Sequence, residues 1–192
     1  MGKIVVSENV TLDGVIQDPT GEEGFSLGGW FGQIRDKERQ AWAQVELDEA
    51  LGAEALLLGR RSYEFFAARW PLRSGEWADR LNSLPKYVVS STLEDPAWNN
   101  STILKGDVVN EVTKLKQKVN GDIVVYASGQ LVHTLMEHDL VDELRLMIYP
   151  FVLGAGARLF RETSDKKPMR LISTQTVGDG LAFLTYEPVR DA

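Results

Sequence analysis

The chain contains no cysteine. Disulfides, thiolate metal sites and a cysteine nucleophile are excluded together, and the composition fits a reducing cytoplasm. Only two histidines occur, His133 and His138; five apart on a helix, they do not share a face, so a histidine metal site is not expected. Long apolar runs are missing too. Nothing approaches the roughly 20 apolar residues of a membrane span, and the run in MGKIVVSENV is too short for a signal peptide. The expectation is a soluble cytoplasmic protein with no membrane partner. Positive charge is in deficit: a net charge of −7 argues against nucleic-acid binding, which needs basic surfaces to neutralise phosphate. Any anionic ligand must therefore meet a local cationic spot. There is no G-x-S-x-G elbow and no base beside a serine, so hydrolase chemistry has no support.

What is present suits one domain spanning residues 1–192. The chain is 43% hydrophobic and 26% charged, ordinary for a globular protein, and no repeat or linker divides it. Strand-like and helix-like segments alternate. KIVVS (Lys3 to Ser7) reads as a buried strand, followed by a glycine-rich loop from Glu8 to about Gly32, long enough to suggest a lid. Asp36 to about Leu51 reads as a helix with Ala41, Val45 and Ala50 toward the core. AEALLLG is a strand, SYEFFAARW a helix, Gly75 to Leu84 a second helix, and KYVVSS a strand. STILKG reads as a short strand. DVVNEVTKLKQKV is a helix capped by Asp107, with Val108, Val112, Leu115 and Val119 on one face. DIVVYASG, QLVHTLMEHDL and DELRLMIYPFVLG continue as strand, helix and long strand, and the tail forms a hairpin around GDG. This order predicts an α/β fold: a mostly parallel sheet covered on both faces, with an antiparallel C-terminal edge.

In such sheets ligands bind beyond the carboxyl ends of strands, where loops meet helix N-termini. Three junctions have suitable chemistry: Gly59-Arg60-Arg61-Ser62, Ser90-Ser91-Thr92, and Ala127-Ser128-Gly129-Gln130. Two helix starts can hold a pyrophosphate between them, and glycines at 59 and 129 allow close backbone approach. Paired arginines suit a 2′-phosphate through their planar, bidentate donors. Their competing role is as solvated charges paired with Glu54 or Glu64, and the serines compete as turn residues.

TLDGVI, LLLGRRSYE, KYVVSSTL, IVVYASGQLVHTLMEHDLVDELRL and YPFVLGAGARLF, in that order, resemble the successive motifs of the dihydrofolate-reductase-like superfamily. More closely, they resemble the C-terminal reductase domain of the bifunctional riboflavin-biosynthesis deaminase-reductase and its free-standing bacterial relatives. The resemblance implies a three-layer α/β/α sandwich binding NADPH across the strand ends; some relatives use a flavin or deazaflavin instead. It places Gly59, Arg60, Arg61 and Ser62 at the adenosine phosphates, Ser90, Ser91 and Thr92 on the adenine side, and Ser128, Gly129, Gln130 and Leu131 under the pyrophosphate. Thr11, Asp13 and Gly14 line the nicotinamide and substrate cleft, with Asp13 and Thr11 as the residues orienting substrate or delivering a proton. The chain departs from the pattern at Ala127, where glycine is usual.

The implied activity is reduction of a small heterocycle, nearest to the riboflavin-pathway 5-amino-6-(5-phosphoribosylamino)uracil reductase. No deaminase domain is present. Dihydrofolate reductases carry a buried carboxylate on the first long helix; Glu46 and Asp48 are the candidates here, and as helix carboxylates they read as exposed. Trp30, Phe31 and Trp70 adjoin loops and stack either on a heterocycle or in the core. Gly154-Ala155-Gly156 reads as a turn at the cleft rim. The apolar LRLMIYPFV strand and final hairpin predict a homodimer.

Overall fold

Runs of valine, isoleucine and leucine without polar alternation form strands buried on both faces. The computed structural model describes residues 1–190. Its strands are β1 (Lys3–Thr11), β2 (Ala53–Gly59), β3 (Lys86–Val89), β4 (Ser101–Leu104), β5 (Asp122–Tyr126), β6 (Glu143–Tyr149), β7 (Met169–Val177) and β8 (Leu181–Pro188). The helices are α1 (Asp36–Gly52), α2 (Arg60–Ala67), α3 (Glu76–Ser83), α4 (Val108–Lys118) and α5 (Gly129–Glu137).

All eight strands form one sheet in the order β4-β3-β2-β5-β1-β6-β8-β7. The first six run parallel, and β8 and β7 close the sheet antiparallel. Ile4, Val6, Ile123 and Val125 pack on one face with Val112 and Leu115 of α4 and Val132 and Leu135 of α5. Val5, Leu56, Leu58 and Val124 pack on the other with Ala50 of α1, Tyr63 of α2, and Ala78 and Leu81 of α3. The result is the expected three-layer α/β/α sandwich. Asp107 caps α4 as its sequence indicates, accepting from Asn110 N at 2.9 Å.

Several boundaries differ from the sequence reading, three of them at the site. β1 runs on to Thr11 because Glu8 through Thr11 stay paired with β6. α2 begins at Arg60, so both arginines occupy its first turn. β6 ends at Tyr149, ahead of Pro150.

The loop after β1 is held together largely by its own hydrogen bonds. Asp18 is buried at its centre; its carboxylate accepts from Glu23 N and Phe25 N and its carbonyl from Gly21 N and Gly29 N. Ile16 N donates to Ala157 O, and Trp30 Nε1 to Gln17 O.

At the far end of the sheet, Lys86 is completely buried. Its Nζ donates to the carbonyls of Asn82, Leu84 and Asn99 at 2.7, 2.9 and 2.9 Å and lies 4.3 Å from the centre of the Trp98 ring. One ammonium thus closes the C-terminal end of α3 onto the start of β3.

Candidate functional site

The carboxyl ends of β2 and β5 are laced together by two serines. Ser128 Oγ accepts from Gly59 N and donates to Tyr126 O, both at 3.0 Å. Ser62 Oγ in turn accepts from Ser128 N at 2.9 Å. These bonds bring the starts of α2 and α5 side by side, and neither helix has a side-chain cap. Their first-turn N–H groups have no intrahelical acceptor, so those of residues 60–62 and 129–131 form a paired, electropositive rim. Leu131 contributes its backbone alone, since its side chain belongs to the core.

The turn into α5 is conformationally demanding. Ala127 and Ser128 both adopt left-handed backbone, with φ of 49° and 59°, which costs an L-residue roughly 1–2 kcal/mol. That explains the glycine usual at the first of these positions. Ala127→Gly is accordingly expected to stabilise the fold by about 0.5–1 kcal/mol after glycine's entropy in the unfolded chain is subtracted, read as a higher melting temperature.

Arg60 is engaged by two side chains. Its Nε binds Glu64 Oε1 at 2.8 Å and its guanidinium donates to Thr92 Oγ1 at 2.5 Å. The ion pair with Glu64 is the one anticipated as the competing role of this arginine, and the Thr92 bond ties α2 to the end of β3. Arg61 is exposed and makes no side-chain hydrogen bond or ion pair among the described residues. Ser90 acts as a turn residue, its Oγ accepting from Thr92 N and Leu93 N at 3.2 and 2.9 Å, while Ser91 is exposed.

Across the site, Thr11 Oγ1 donates to Asp13 Oδ1 at 2.7 Å and accepts from Val15 N at 3.0 Å. Asp13 also accepts from Leu153 N and Gly154 N at 3.2 and 2.8 Å. The Thr11 hydroxyl, followed by the two backbone donors, holds the Asp13 carboxyl down at about 2. These bonds favour the ionised carboxylate. Asp13 anchors the Gly154 turn, placing the glycine-rich segment beside the loop at Gly14. Gly14 itself sits at φ 79° with open space where a side chain would point. Ile16 connects this loop to α5: a Cβ on Gly129 would stand 2.7 Å from Ile16 Cδ1.

The sequence reading of α1 needs correction. Glu46 is buried, 6% exposed, whereas Asp48 is exposed as anticipated. Glu49, one turn later and 9% exposed, is a residue sequence reasoning missed. Burial raises the Glu46 carboxyl well above its ordinary value and the Glu49 charge raises it further. Burial likewise raises Glu49, against the opposing pull of the Arg145 guanidinium at 3.2 Å. Glu46 makes no hydrogen bond or ion pair among the described residues. Its field acts on Tyr126 and Tyr149, the last residues of β5 and β6, which puts this carboxyl at the same end of the sheet as the rim.

The aromatics divide. Trp30 and Trp70 are buried in packing clusters, which removes them as stacking surfaces for a ligand. Phe31 is half-buried, stacked on Tyr149 at 5.3 Å and 5.9 Å from Trp42 of α1.

Sheet order, layering and the strand-end rim define a reductase-like α/β domain with the dihydrofolate-reductase fold. Residues 2–183 match the RibD C-terminal domain, and the chain belongs to that family. It is 27% identical over 189 residues to the uncharacterized protein YyaP of Bacillus subtilis (strain 168), covering 96% of this chain and 94% of YyaP. Among solved structures it resembles a proposed riboflavin biosynthesis protein from Shewanella sp. PV-4, with a TM-score of 0.78 and 22% identity over 98% of this chain and 99% of that one. A dihydrofolate reductase from Enterococcus faecalis in complex with NADP(H) has a TM-score of 0.62 and 14% identity, over 97% and 96% of the two chains.

Proposed function

We propose that the protein is an NADPH-dependent reductase of a small heterocyclic substrate, its nearest named activity being 5-amino-6-(5-phosphoribosylamino)uracil reductase. The observation that carries this reading is the pair of uncapped helix starts laced through Gly59, Ser62 and Ser128. Backbone donors converging from two helices suit a pyrophosphate.

Gly59 tests the fit. Its φ and ψ of −75° and 160° are open to any residue, and a Cβ there would meet nothing closer than 3.7 Å. Packing within the protein does not require glycine at 59, whereas a ligand backbone lying across the rim does. The N–H groups of α2 and α5 would hold the pyrophosphate, Arg61 the 2′-phosphate, and Ser91 and Thr92 the adenine side. When bound, the nicotinamide supplies a hydride. The protein's part is alignment and the exclusion of water. The loop carrying Thr11, Asp13 and Gly14 walls the cleft. Glu46, unpaired at the carboxyl ends of β5 and β6, accepts from the donor edge of the heterocycle.

Fluorescence titration with NADPH and NADH tests the cofactor reading. Arg61→Ala is expected to weaken NADPH about 10- to 100-fold, as loss of a charge-assisted phosphate contact implies, with NADH unchanged. Equal affinity of the unmodified protein for the two nucleotides would overturn the assignment.

A further inference from the structure

β1 loses one neighbour before it ends. Pairing with β5 stops at Ser7 and Tyr126, whereas pairing with β6 continues to Thr11, so from Glu8 onward one side of β1 has no paired strand. α1 lies along this stretch. Trp42 Nε1 donates to Asn9 Oδ1 at 2.9 Å. Burial raises the Glu49 carboxyl, opposed by the Arg145 charge and then by the Ser7 hydroxyl, which puts Glu49 beside Ser7. Residues 42, 46 and 49 share one helix stripe, and Ser7 and Asn9, two apart, share one face of β1. Glu46 therefore stands between these two contacts, over the strand from Ser7 to Asn9. Its surroundings are polar and unsatisfied: Glu49 Oε1 and the Tyr126 hydroxyl are buried with no hydrogen-bond partner among the described residues. Buried polar atoms without partners are uncommon in a folded chain, and here they cluster at the carboxyl end of the sheet.

Asn9 adds a donor of fixed direction. An indole N–H can only donate, so Trp42 holds Asn9 Oδ1 and thereby turns Nδ2 away from itself. Nδ2 makes no hydrogen bond among the described residues, and Asn9 is half-buried. We propose that Asn9 determines substrate specificity: Nδ2 donates to a ring carbonyl while Glu46 accepts from the adjacent ring N–H, so the site reads the edge of a cyclic amide. The presence of a ring against Glu46 rests on the reductase reading; Asn9 decides which edge that ring shows. A carboxylate alone favours two donors side by side, as in an amidinium. Beside Asn9 the second of those donors meets another N–H, and both are left without an acceptor, which selects against the amidinium. Trp42 is a positioning residue, acting through the amide it holds.

Calorimetric titration of the full chain with uracil and with benzamidine, no nucleotide present, tests this apart from the cofactor. Uracil offers N–H beside C=O; benzamidine offers donors alone. Asn9→Leu is expected to weaken uracil about 10-fold, the loss of one hydrogen bond, and not to weaken benzamidine. Glu46→Gln weakens benzamidine about 10-fold by removing the charge it meets, which places the probe at this carboxyl. Trp42→Phe keeps an aromatic ring but removes the indole N–H. It is expected to weaken uracil about 3-fold, the cost of fixing the freed amide on binding, and again to spare benzamidine; a packing role alone would move both probes together. Uracil that fails to bind, benzamidine that ignores Glu46→Gln, or an Asn9→Leu variant that loses both probes equally or neither would each overturn the proposal. If Asn9→Leu does not fold, Trp42→Phe decides by the same criterion. A protein that shows this pattern yet binds NADPH and NADH equally keeps the Asn9 assignment and loses the cofactor reading.

Discussion

Glu46→Gln is expected to raise the melting temperature at pH 8 by roughly 6 °C and to change it little at pH 4. The carboxyl is buried without a hydrogen bond or ion pair, and burial followed by the Glu49 charge raises its proton affinity well above that of the unfolded chain. A raised acid keeps its proton in the fold after the unfolded chain has lost it, so stability falls as pH climbs above about 4.5 and continues falling until the folded group ionises. Glutamine removes that penalty. A tenfold rise in proton affinity on folding is worth about 1.4 kcal/mol, and each kcal/mol moves the midpoint of a domain this size by about 2–4 °C. If Glu46 also accepts from substrate, the same variant raises KM while stabilising the fold, the opposition found where a strained group serves function. No gain at pH 8 over that at pH 4 would show that the fold does not raise the Glu46 carboxyl.

Lys86→Met is expected to act in the other direction, lowering the melting temperature by roughly 10 °C. Methionine fills most of the volume but donates nothing, leaving the carbonyls of Asn82, Leu84 and Asn99 without the partner seen at 2.7–2.9 Å. Stranding buried acceptors costs about 1–3 kcal/mol each, and relaxation keeps the sum near 3–4 kcal/mol. Burial lowers the Lys86 ammonium to about 8, so it remains mostly protonated at neutral pH and all three donors are in place. Thermal melts at pH 7 measure the loss; a drop of less than 2 °C would mean that solvent takes over the three carbonyls.

The fold was legible wherever burial followed residue type. Val112 and Leu115 mark the inner face of α4, and the GDG turn marks the hairpin, because apolar spacing and turn chemistry act locally. α1 misled because its inward face carries Glu46 and Glu49, and no local signal separates a buried carboxylate from a solvated one. What buries them is the sheet that α1 crosses, with Arg145 arriving from β6 nearly a hundred residues later. The strand-end junctions were readable as glycine, serine and arginine clusters. Their division of labour was not: that Arg60 also reaches Thr92 while Arg61 has no partner among the described residues, and that Ser62 and Ser128 fasten two strand ends, depends on contacts across 32 to 69 positions. Trp30 and Phe31 are adjacent in sequence, yet packing buries one and leaves the other half-exposed.

Asp13 joins the loop after β1 to the turn after β6 through bonds spanning about 140 residues, and Arg158 adds a contact to the Asp13 carbonyl. The two segments therefore form a single stiff wall whose ordering is completed when the chain folds. In the proposed reductase, a molecule entering the cleft would meet a wall already held by these bonds, so little of its binding free energy would be lost to immobilising the protein.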